Sequence, residues 1–127
     1  MSLAAFCLGC GGGTNRFVPP AEIEGGWKLI SQGEVPASDA AGQVRRVGLR
    51  SAHAAEYAGP EGRRLSVRFY RMGSGSVAFE LMQKWRPADG RMALYQGAWF
   101  VVLESPALDH RALSALAEPL ERHLAGR

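Results

Sequence analysis

Two apolar runs, Met92-Ala93-Leu94-Tyr95 and Ala98-Trp99-Phe100-Val101-Val102-Leu103, face each other across Gln96-Gly97. No other feature of the chain restricts its fold so tightly. A two-residue connection, with glycine where φ must be positive, joins antiparallel neighbours and leaves no room for a crossover. A second strand signal lies at 65–71, where alternation places Leu65, Val67 and Phe69 on one face and Ser66, Arg68 and Tyr70 on the other. That pattern predicts a strand covered on one side only. Trp27–Ile30 reads as the first strand, and Val44–Arg50 and His53–Ala58 as two more, with Gly59-Pro60-Glu61-Gly62 turning the chain back. Pro36–Gly42 reads as a loop or a short helical turn.

Helical periodicity appears twice. Ala78, Leu81, Met82 and Trp85 recur at i, i+3, i+4 and i+7, with Phe79 at the edge of the stripe; Ser74 or Ser76 supplies a cap and Arg86-Pro87 a stop. Another helix starts near Asp109, and its Leu113, Leu116, Ala117, Leu120 and Leu124 fall within roughly 100° of arc. On its exposed side Glu118 and Arg122 form an i,i+4 pair. Pro119 predicts a kink there or a break into two short helices, because proline removes a backbone donor and crowds the preceding turn. Together these elements predict an α+β fold, a mostly antiparallel sheet of about five strands covered on one face by two helices.

The 127 residues suffice for one cored domain and are too few for two. A hydrophobic content of 46% and a charged content of 21% are those of a globular chain. Residues 16–127 are therefore expected to form a single α+β domain, with 11–26 acting as linker and lead-in around Pro19-Pro20 and Gly25-Gly26. Residues 1–15 read as a lipoprotein-like leader and tether. There Leu3–Leu8 is apolar, Gly9 is the small residue before Cys10, and Gly11-Gly12-Gly13 is a flexible leash, which makes Cys10 the expected site of lipid attachment. The apolar run is short and lacks a basic flank, as it would if the start fell inside a longer leader. Two other readings stay open, a redox or metal Cys7-Leu8-Gly9-Cys10 and a plain tail with two idle thiols. Glycines follow the pair where a redox motif has a helix, and no second cysteine pair completes a zinc site.

Thirteen of the 15 basic residues are arginines, and the net charge is +3. Arg45, Arg46, Arg50, Arg63, Arg64, Arg68 and Arg71 would track phosphates only if they shared one face with stacking aromatics. Glu34, Glu56, Glu61 and Glu80 are interspersed among them, which argues against nucleic acid as the partner.

Catalytic patterns are equally thin. Gly73-Ser74-Gly75-Ser76 lies between strand and helix but lacks a Gly-Lys-Ser/Thr ending and the third glycine of a dinucleotide loop, so it reads as a turn and a cap. His110 and His123 on one helix are about 140° apart in azimuth and about 20 Å apart in height. His53 reads as a polar position on the sheet surface, sharing a strand face with Tyr57 while Glu56 points away. No GxSxG, HExxH or close carboxylate pair is present, so no catalytic residue, metal or cofactor is assigned.

At residues 18–104 the segments Val18-Pro19-Pro20, Gly26-Trp27, Ala54-Ala55-Glu56-Tyr57, Val67–Met72, Ala78-Phe79-Glu80 and Gly97–Val102 resemble a family of exported bacterial proteins of unknown function, often carried by predicted lipoproteins. The resemblance implies an antiparallel α+β domain outside the cytoplasm and supplies no catalytic residue. The expected function is accordingly contact without catalysis: a membrane-tethered envelope domain that binds a protein partner or small ligand on an open sheet face, with Arg68 and Tyr70 as the candidate surface. Two alternatives are an enzyme with a cleft around His53, Glu56 and Tyr57, and a structural subunit of an envelope complex.

Overall fold

A computed structural model describes residues 17–36 and 42–127. The expectations for the leader, for Cys7 and Cys10, and for most of the 36–42 loop lie outside the described residues. Strands β1 (Glu22–Ile23), β2 (Trp27–Glu34) and β3 (Leu49–Ala58) are followed by β4 (Arg64–Met72), β5 (Arg91–Gln96) and β6 (Trp99–Glu104). Helix α1 (Gly42–Arg46) precedes β3, α2 (Gly75–Lys84) follows β4 and α3 (His110–Leu124) follows β6. The six strands form one sheet in the order β1-β2-β3-β4-β6-β5, antiparallel at every pairing. The fold is thus α+β, with one strand more than the sequence pattern suggested.

Alternation organises β4. Leu65, Val67 and Phe69 have no exposed surface and belong to a core with Trp99, Val101 and Leu103 of β6 and with Leu113, Leu116, Leu120 and Leu124 of α3. On the opposite face Tyr70 and Met72 join Phe100 and Val102 in a second core, which Ala78 and Leu81 of α2 close. The two long helices therefore cover opposite faces of the sheet instead of sharing one. The physical reason is written in β6, whose Trp99–Leu103 run is apolar at five consecutive positions and buried at all five. A strand apolar on both sides needs cover on both sides.

Local chemistry fixes the ends of the elements. Ser74 caps α2, its Oγ accepting from Val77 N at 3.3 Å, and Asp109 caps α3, its carboxylate accepting from Ala112 N at 2.9 Å. The hairpin turns through Gly97-Ala98, one residue later than the sequence signal placed it, since Gln96 pairs with Trp99. Gly97 holds φ at 58°, in the left-handed region that glycine adopts without penalty. The strand expected at Val44–Arg50 does not form as such. Residues 42–46 are helical, the 5% exposed Val44 plugs the second core, and β3 runs unbroken from Leu49 with a register shift before Ser51. Gly48, at φ 102°, allows the chain to leave that short helix and start the strand. Helix α3 continues through Pro119 without the expected break into two helices.

The lead-in is part of the domain. Phe17 packs against the first core, and Gly59 comes so close to Trp27 that a Cβ there would lie 2.5 Å from the indole ring.

Candidate functional site

Strand register defines the open part of the second face. Helix α2 closes the end where Ala52, Tyr70 and Phe100 lie side by side. One row further from the helix, Gly33, Ala54, Arg68, Val102 and Ala93 run across five strands. The row after that is Ser31, Glu56, Ser66, Glu104 and Arg91. Arg68, Ser31, Gly33, Glu104 and Arg91 are exposed, while Ala54, Glu56 and Ser66 are half-buried. A charged residue thus rises between small neighbours, with a polar row beside it.

Tyr70 does not belong to this surface. Only 6% of it is exposed, and its ring stacks on Phe100 at 6.3 Å beneath α2. The outward orientation expected from simple alternation is corrected by the helix that covers that end of the strand. Of the expected pair, Arg68 alone faces solvent, and it has no ion-pair partner among the described residues.

Glu56 sits on the same face, its Oε2 accepting from Ser66 Oγ at 2.6 Å. His53 and Tyr57 lie on the other face, as their spacing predicted, but neither is on the surface. His53 is only 9% exposed, where the sequence suggested an open sheet position; its Nε2 donates to Gln32 Oε1 at 2.5 Å. Burial lowers the His53 pKa, and the nearby Glu34 carboxylate opposes that shift in part. Tyr57 is fully buried, its hydroxyl donates to Pro20 O at 2.8 Å, and burial pushes its ionisation upward. The three residues of the enzyme alternative are therefore engaged with three different partners on two faces and do not converge on a common point.

The arginines are likewise dispersed. Arg71 lies over the Trp99 ring at 5.2 Å on the face opposite Arg68, and Arg63 and Arg91 lie over Trp27 and Trp85. Stacking on indole gives these cations local roles and spreads the positive charge around the molecule.

An open cleft of about 550 Å³ lies between the 87–91 turn and the start of α3. Asp89, Arg91, Asp109 and His110 line it, but Asp109 is engaged as the helix cap and Arg91 stacks on Trp85. Among the described residues no group of three or more His, Cys, Asp or Glu side chains is placed to hold a metal ion. Sequence reasoning missed Phe17, whose ring lies 4.9 Å from Phe69 and 4.6 Å from Trp99. A lone aromatic just ahead of Pro19-Pro20 was the only signal that the lead-in would dock.

Comparisons with protein-family models, with curated proteins and with solved structures find no match to this chain.

Proposed function

We propose that this is a non-catalytic contact domain of the bacterial cell envelope, tethered through Cys10, which binds a protein partner or small ligand on the open part of the second sheet face around Arg68. The observation that carries the reading is the uncovered polar surface beside α2, where Arg68 stands free of any ion pair among the described residues. A guanidinium left in water between small side chains can form charge-assisted, bidentate hydrogen bonds with an incoming carboxylate or phosphate at little desolvation cost to the fold. The tether and the exported location rest on the leader-like sequence and on the family resemblance. No helix among the described residues is long and apolar enough to cross a membrane.

The test compares affinity capture from envelope extracts by the intact domain, by Arg68→Ala and by Arg122→Ala on the opposite side. Arg68→Ala is expected to lose its captured component while melting at an unchanged temperature, and Arg122→Ala to keep it. Equal capture by all three would remove Arg68 from the binding surface. One feature favours a structural subunit as the second reading. Phe79 and Tyr95 are 44% and 38% exposed and meet edge to face at 5.4 Å beside the edge strand β5, a small apolar patch on the rim of the sheet.

A further inference from the structure

Phe17 enters the first core from a segment with no strand or helix of its own. Its ring lies 4.6 Å from Trp99, 4.9 Å from Phe69, 5.5 Å from His53 and 6.1 Å from His123, centroid to centroid. Two hydrogen bonds hold the residues that follow. His123 Nε2 donates to Val18 O at 2.9 Å, and Tyr57 donates to Pro20 O at 2.8 Å. Pro19-Pro20 stiffens the strap between those bonds, so fixing it costs less chain entropy than fixing an ordinary tetrapeptide would. The strap closes over three strands and the end of α3 without joining any β-ladder.

We propose that Phe17–Pro20 is an acid-releasable clasp, in which protonation of His53 against the Phe17 ring frees the strap and opens the aromatic slot between Phe69, Trp99 and His123. His53 is a buried imidazole in a strand that is paired on both sides, so its backbone cannot move out to meet water. Of the two side chains in contact with its ring, Gln32 is exposed and accepts from Nε2 in either protonation state, whereas Phe17 shields the ring from a strap that belongs to no ladder. A proton added to His53 is therefore hydrated most cheaply by lifting the strap.

Burial fixes the direction of the effect, and the nearby Glu34 charge opposes it in part. From β2, Glu34 favours the charged imidazole and Gln32 is a neutral acceptor; from β3 itself, Tyr57 stays neutral. Arg71 of β4 stands over Trp99, and from the C-terminal end Arg127 donates to the His123 carbonyl while its own carbonyl accepts from Trp99 Nε1 at 3.3 Å. Burial outweighs Glu34, and the folded group binds its proton below the ordinary 6.5. Above pH 6.5 the imidazole is neutral whether the strap is open or closed, and the clasp has its full stability. As pH falls from 6.5 toward the lowered value, the open form takes up the proton first and gains population; below both values the loss is complete.

Proton NMR of the full chain tests this through ring signals. The His53 ring is expected to titrate below 6.5, and cross-relaxation between the Phe17 and Trp99 rings to fade through the same midpoint, while the amide signals of β3, β4 and β6 persist. In Phe17→Ala the His53 midpoint should rise toward the ordinary value, because the ring that shields it from water is gone. In His53→Gln the Phe17–Trp99 contact should survive at every pH. The clasp is overturned if ring contact persists below the His53 midpoint, if Phe17→Ala leaves that midpoint unmoved, or if the sheet signals vanish together with the strap. Should either variant fail to fold, the wild-type titration decides alone.

Discussion

Tyr57 has no exposed surface and spends its single donor on the Pro20 carbonyl. Removing the hydroxyl leaves that carbonyl without this donor, so Tyr57→Phe is expected to cost about 1 kcal/mol at neutral pH, read from the urea midpoint. Its pH dependence has a definite sign. In the unfolded chain the phenol ionises near pH 10, whereas burial holds the folded one well above its usual value. Between these two pKa values the unfolded state releases its proton and the folded state does not, so stability falls as pH rises past 10, and below 10 the group adds no slope. The wild-type chain should lose stability between pH 9 and 11 more steeply than Tyr57→Phe; parallel curves would show that Tyr57 ionises as freely folded as unfolded. Some residue-level features were legible beforehand. A cap at Ser74 or Ser76 follows from their place before an apolar stripe, with Ser74 the one that caps, and the opposed directions of Glu56 and Tyr57 follow from a period of two. The burial of His53 was not legible, since what covers it includes Phe17, 36 positions away in the chain.

Among the elements, α3 departs most from its own sequence. Pro119 lies inside a continuous helix from His110 to Leu124, yet Leu113, Leu116, Leu120 and Leu124 are each at most 3% exposed against the sheet. Burying four leucines contributes about 1.5–3 kcal/mol apiece, which outweighs a proline penalty of about 3 kcal/mol and keeps the helix in one piece. Replacing Pro119 with alanine restores the missing donor to the Ala115 carbonyl. It should therefore stabilise the domain, by up to about 3 kcal/mol, measured as a higher urea midpoint with unchanged slope. A lower midpoint would mean that the proline ring makes packing contacts worth more than the bond it removes. The i,i+4 pair of Glu118 and Arg122 forms at 3.6 Å, and Arg122 also reaches Glu24 at 2.9 Å, a partner that helical spacing alone does not identify. Misplacement of a strand at Val44–Arg50 has a comparable cause. A segment this short carries too little periodicity to separate a helical turn from a strand, and the outcome was set by Val44 filling the second core.

For the whole molecule, the proposed tether and the proposed contact face make separate demands. Metabolic labelling with a palmitate analogue is expected to mark the protein and to be lost in Cys10→Ser; a soluble, unlabelled wild type would remove the anchor while leaving the Arg68 surface to its own test. The class of the fold was within reach of the sequence because its evidence is local. A hairpin signal, a period of two at 65–71 and two stripes at a period near 3.6 each involve residues close along the chain, and together they require an antiparallel sheet with amphipathic helices. Which face each helix covers was decided only in three dimensions. Residues 99–103 state that both sides of β6 must be dry, but nothing in α2 or α3 says which side each will take, and that choice buried Tyr70, left Arg68 in water and closed Phe17 over His53. Periodicity belongs to a segment and can be read from it, whereas exposure belongs to whatever packs above it, and here the covering residues come from distant parts of the chain.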